Sequence, residues 1–193
     1  LTEKAVGAGT NGRRTVKIEW KDVKSLTTWR HGLSQATGVE PPEALYASLG
    51  READGWRVHL PMISNKARVA TAPGAAALGV LSNRAMVDVY GLAAEDPDIA
   101  ADISTKTGYV SAAFVGGSEG DRIAGMQSLW NGAANERERH GMLILTARAA
   151  ALIAPTTDNA ARADRLVTTM LTGGFDRQAA RWLKVVDEGS LAW

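Results

Sequence analysis

The sequence predicts a mainly α protein: a multi-helix bundle with two helical lobes and a small β-hairpin-like element near the N-terminus. Three observations predict it. From Pro73 onward, apolar residues recur at helical spacing in one segment after another, punctuated by proline, glycine and capping residues. Before that point, two short stretches alternate apolar with polar residues, the pattern of a half-buried strand. Many apolar positions are Ala or Gly, which lets helix axes approach closely. The chain has 193 residues, 45% hydrophobic and 22% charged, enough to fold around its own core and too apolar for disorder.

Residues 1–12 are rich in Gly, Ala and Thr and read as a mobile arm. In Thr15 to Val23, Val16, Ile18 and Trp20 alternate with Lys17, Glu19 and Lys21, the first strand pattern. A helix carrying Leu26, Trp29 and Leu33 follows, capped by Asp22 or Ser25 and stopping near Gly38. Pro41-Pro42-Glu43 starts a short helix that Gly50 ends. Trp56, Val58 and Leu60 alternate with Arg57 and His59, a second strand able to pair with the first. One helix over Ala75 to Leu92 would place Leu78, Leu81, Ala85, Val89 and Leu92 on one face. Asp96-Pro97-Asp98 starts another that ends near Gly108, and Tyr109 to Val115 fits helix or strand. Gly116 to Asp121 is the clearest loop, so lobes 1–117 and 118–193 are expected. Beyond it, Ile123, Met126, Leu129 and Trp130 define one helix. Asn135 caps the next, over Glu136 to Ala154. Ala163, Leu166, Val167 and Met170 define a helix that Gly173-Gly174 terminates, and Asp176 caps a last one with Ala179, Trp182 and Val186.

The absence of cysteine excludes disulfides and thiolate chemistry. The longest apolar run, Met142 to Ala154, is broken by Arg148 and stopped by Pro155, so no transmembrane segment is expected. The first residues lack the apolar stretch of a signal peptide, and the chain reads as a soluble protein of a cell interior or a virion.

Little in the sequence points to catalysis. Gly116 to Asp121 lacks the Gly-Lys-Ser/Thr ending of a phosphate loop and carries two acids that would repel phosphate. His31, His59 and His140 fall in separate segments without metal-ligand spacing, and the Glu136–His140 spacing is that of a surface pair. No nucleophile elbow is present, and the acids around Asp96 suit capping. No catalytic residue, metal, cofactor or small-molecule substrate is therefore expected. An enzyme would need a site assembled from distant residues.

The basic residues are the most suggestive set. Net charge is only +1, but residues 1–70 carry 11 Lys and Arg against 7 acids, while residues 71–135 carry 3 against 7. Arg13, Arg14, Lys17, Lys21, Lys24 and Arg30 crowd the first stretch, with Trp20 and Trp29 among them. Cations interleaved with aromatics suit an anionic membrane surface or nucleic acid. The plainer reading is an amphipathic segment whose tryptophans are core. A second set, Arg137, Arg139, Arg148, Arg162, Arg165, Arg177 and Arg181, decorates the C-terminal segments near acids that offset it.

Residues 136–167 read ERERHGMLILTARAAALIAPTTDNAARADRLV: an Ala-rich apolar helix, a Thr-rich turn and another Ala-rich amphipathic helix. In texture this resembles the helical middle of orthomyxovirus matrix proteins. The resemblance implies a helical two-lobed protein that polymerises under an envelope and meets anionic lipid and ribonucleoprotein through basic surfaces. The expectation is a non-enzymatic, self-assembling structural protein, its partners further copies of itself, an anionic membrane surface, and RNA or ribonucleoprotein. The alternative is an RNA-binding coat or nucleocapsid module.

Overall fold

The computed structural model describes residues 20–37, 39, 41–46, 48–50, 52–60, 63–186 and 188–190. The described part is all α, with ten α-helices and no strand. None of these helices is long and apolar enough to cross a membrane. The chain divides into two compact units, residues 1–53 with 60–62, and residues 54–59 with 63–193.

In the first unit, a turn at residues 20–23 closes with Val23 N–H donating to Trp20 O at 3.0 Å. Helix α1 (Thr28–Thr37) follows, its first turn satisfied by Thr27 Oγ1, which accepts from Arg30 N–H at 3.2 Å. Helix α2 (Glu43–Tyr46) is a single turn after the two prolines. Leu26 is buried, and its N–H donates to Ser48 Oγ at 2.7 Å. His31 is buried too, edge-on to the Tyr46 ring with centroids 5.7 Å apart.

Helix α3 (Glu52–Arg57) begins in the first unit and ends in the second. The second unit continues with α4 (Asn65–Ala77), α5 (Asn83–Ala94), α6 (Ala101–Val115), α7 (Glu119–Asn131) and α8 (Glu136–Ala151). A 3-10 turn (Thr157–Arg162), α9 (Ala163–Thr172), α10 (Asp176–Ala180) and a second 3-10 turn (Arg181–Lys184) complete it. Side-chain caps define the starts: Ser64, Ser82, Ser118 and Asn135 each accept from a backbone N–H in the first turn. At Ser118 the Asp121 carboxylate answers the cap's own N–H, a full capping box.

Sequential helices pack on one another, and α8 lies at the centre, touching α4, α5, α6, α7 and α9. Met142, Leu145, Thr146, Ala149 and Ala150 of α8 are buried among Tyr90, Met126, Trp130, Leu166 and Met170. The α4–α8 crossing needs Gly141, where a Cβ would sit 2.5 Å from the Cα of Pro73.

Four expectations change. The strand over Trp56, Val58 and Leu60 is helix and turn: Val58 N–H donates to Asp54 O, Val58 is buried, and Trp56 is exposed, so the apolar residues share no face. Of the first strand, residues 15–19 lie outside the described part and residues 20–23 form the turn. The stretch from Ala75 to Leu92 is two helices, because Gly79 takes φ +75° and Ser82 caps anew; Leu78 and Leu92 are exposed. Helix α6 runs through Gly108 to Val115, and Asp96-Pro97-Asp98 precedes it as a turn. The boundary expected near residue 117 falls between α6 and α7, which pair closely within the second unit.

Candidate functional site

Of the six basic residues singled out in the sequence, Arg13, Arg14 and Lys17 lie outside the described residues. Lys21 and Lys24 are exposed in the turn and the segment leading into α1. Arg30 is half-buried, its Nη1 donating to Ser25 O at 3.0 Å, which fixes one corner of the guanidinium. Trp29, expected on the core face with Leu26 and Leu33, is instead 67% exposed. Its neighbours explain this. Leu26 and His31 fill the interior of the first unit, and Trp29 lies on the opposite side of the turn from His31. Trp20 is half-buried. The described stretch 21–30 thus carries one exposed tryptophan, two exposed lysines and a half-buried arginine.

Of the C-terminal arginines, Arg137 lies 3.5 Å from Asp54 and Arg139 pairs with Glu136, one turn away on α8. His140 is exposed and Glu136 is taken by Arg139, not by it. Arg148, Arg162, Arg165, Arg177 and Arg181 are exposed, and none meets an acid at ion-pair distance among the described residues. The guanidinium of Arg165 lies over the Trp130 ring, 5.2 Å from its centroid.

The second unit also holds a grouping that sequence reasoning missed. An open cleft of about 650 Å³ is lined by Asp54, Lys106, Asn135, Arg137 and Glu138 over a floor of Pro73 and Gly74. Gly74 gives the room: a Cβ there would collide with the Asp54 carboxylate. Lys106 Nζ donates to Glu138 Oε1 at 2.7 Å, while Glu138 Oε2 accepts from Ala134 N–H at 2.8 Å. Burial pushes the Glu138 carboxyl up, but the Lys106 hydrogen bond, the Ala134 N–H and the Lys106 charge together hold it below the ordinary range. Asp54 goes the other way. Its burial outweighs the charges of Arg137 and Arg57, and its carboxyl is raised. These residues come from three helices and a cap, far apart in the chain, so no spacing announced them. Among the described residues no group of three or more His, Asp or Glu is placed to hold a metal ion.

Comparison with protein-family models, with curated proteins and with solved structures finds no match for this chain.

Proposed function

We propose that the protein is a non-enzymatic structural protein that assembles with itself and lies against an anionic membrane surface through its basic, tryptophan-bearing N-terminal stretch, in the manner of a viral matrix protein. The observation that supports the reading is the exposure of Trp29 among Lys21, Lys24 and Arg30. A buried Trp29 would have favoured the plainer reading, an amphipathic segment turned inward. An exposed indole in a lysine-bearing stretch suits the headgroup layer, with its apolar body against acyl chains and the cations among phosphates.

Magnitudes tie surface binding to self-assembly. Each cation near an anionic leaflet contributes about 1 kcal/mol, so three give about 3 kcal/mol. That is roughly a hundredfold in partitioning, too little for one copy to stay bound. Copies linked in a layer add their contacts, which turns weak attachment into lasting attachment.

The test is co-sedimentation of the full chain with vesicles containing phosphatidylserine, and with phosphatidylcholine alone, at low and high salt, beside light scattering for assembly size. Capture by the anionic vesicles that salt reverses, with growth into large assemblies, supports the reading. A monomer that ignores both lipids sinks it.

A second reading, an RNA-binding coat module, is favoured by the exposed arginines Arg148, Arg162, Arg165, Arg177 and Arg181. Its signature is steeply salt-dependent binding of single-stranded RNA that survives charge removal at Lys21, Lys24 and Arg30.

A further inference from the structure

We propose that the second unit binds a small organic ammonium with one apolar arm: the ammonium takes the place of Lys106 on Glu138, and the arm enters an apolar pocket beside that pair. Two cavities meet here. The polar cleft over Pro73 and Gly74 shares Lys106 and Glu138 with a smaller, mostly apolar cavity of about 240 Å³, lined by Tyr109, Leu129 and Met142. The Lys106–Glu138 ion pair is thus common to the walls of both.

The partners in that pair are unequally fixed. Glu138 is held by Ala134 N–H on its carboxylate and by Asn135 Oδ1 on its own backbone N–H, at 2.8 and 3.0 Å. Its side chain is 16% exposed, whereas that of Lys106 is 36% exposed. Lys106 is the partner that can swing away, on a flexible four-carbon stem. It already presents the chemistry proposed for the ligand, an alkylammonium on this carboxylate.

The sign of the cleft agrees. Asp54 is matched by Arg137, Glu136 by Arg139 and Glu138 by Lys106, and the smaller cavity's wall adds Asp102, an acid that favours an incoming cation over an anion. Exchanging one ammonium for another keeps Glu138 paired and is nearly neutral, whereas a neutral head group in the same place would leave the carboxylate unpaired; the growth of affinity with length then comes from the arm. Each methylene buried then tightens binding about fourfold until the small cavity is full.

The experiment is calorimetric titration of the full chain, at fixed ionic strength, with propyl-, butyl-, pentyl- and hexylammonium chloride, and with ammonium chloride and hexan-1-ol as controls. Saturable binding that strengthens about fourfold per methylene, absent for ammonium chloride and much weaker for hexanol, supports the site. Lys106→Met keeps most of the stem and removes the competing charge, so it tightens hexylammonium binding severalfold. Glu138→Gln abolishes it. Should Glu138→Gln not fold, Lys106→Met and the chain-length series decide. No saturable binding of hexylammonium in the millimolar range, equal binding of hexanol, or an affinity indifferent to Lys106→Met overturns the proposal.

Discussion

Inside the second unit, Trp130 Nε1 donates to Thr146 Oγ1 at 2.8 Å, and the same hydroxyl donates to Met142 O at 2.8 Å. One threonine on α8 thereby satisfies the buried indole of α7 while returning its own proton to its helix. Both side chains are essentially inaccessible, so water cannot substitute for either partner.

Thr146→Val therefore leaves a buried N–H unpaired, at a cost of about 1–3 kcal/mol. Thermal melts should show a loss of roughly 2–4 °C per kcal/mol for a chain of this size. Thr146→Ser, which keeps the hydroxyl, should lie much closer to the parent. Equal melting of Thr146→Val and the parent would contradict the assigned role.

Two glycines in helix interiors should respond with opposite signs. Gly141→Ala drives a Cβ into the backbone of Pro73 and should destabilise by about 1–3 kcal/mol. Gly108→Ala meets open space in the middle of α6 and should stabilise by about 0.5–1 kcal/mol. Denaturant midpoints of the two variants measure both.

Ser118→Ala removes the capping box that starts α7 and should cost about 1 kcal/mol. The loss should appear in equilibrium unfolding and be largely absent in Ser118→Asn or Ser118→Asp.

Acid titration of stability should separate three carboxyls. Glu119 is held below the ordinary range by Ala154 N–H and Asn159, and Glu138 by Lys106 and Ala134 N–H against its burial. Their contributions are present above the unfolded-state carboxyl range and are lost as pH falls through their lower folded values. Asp54 has the opposite sign: raised by burial, it favours folding while protonated, and that contribution is lost as pH rises through its folded value. Hence Glu138→Gln should flatten the acid limb of the stability curve. Asp54→Asn should be no less stable than the parent at neutral pH, since burial of the carboxylate outweighs its 3.5 Å contact with Arg137.

Trp29→Ala should leave stability within about 0.5 kcal/mol of the parent, because the ring is mostly exposed. It should also reduce capture by phosphatidylserine vesicles. Unchanged capture would remove Trp29 from the proposed contact surface.

Much of the second unit was legible in the sequence. Asn135 caps α8, Gly173 and Gly174 end α9 with Gly174 at φ +77°, and Leu166, Val167 and Met170 point inward, each from short-range chemistry that does not depend on the rest of the chain. What was misread depended on context. Five alternating residues around Trp56 fit a strand or one turn of helix equally, and only packing decides which of them is covered. Between Leu78 and Ala85, Gly79 in the left-handed region closes one helix, and Ser82, three residues before the Ala85 N–H that it accepts from, caps the next, so the apolar spacing continues where the helix does not. The cleft was invisible for a different reason. Asp54, Lys106 and Glu138 are ordinary surface residue types in sequence, and only the folding of α3, α6 and α8 together gives them a shared environment.

The order of packing along the second unit has a kinetic consequence. Nearly every helix leans on the one before it, so most contacts close short loops, a topology that folds in about microseconds to milliseconds. The contacts of α8 with α4, α5 and α6 are the exceptions, and the one with α4 closes the longest loop, joining segments separated by three intervening helices. Its loop-closure cost places it late, after the α5–α8 hairpin-like stack has formed. A disturbance at the Pro73–Gly141 crossing should then act mainly on the rate of opening: Gly141→Ala should steepen loss of the native state in the unfolding arm of a chevron while leaving the folding arm nearly in place.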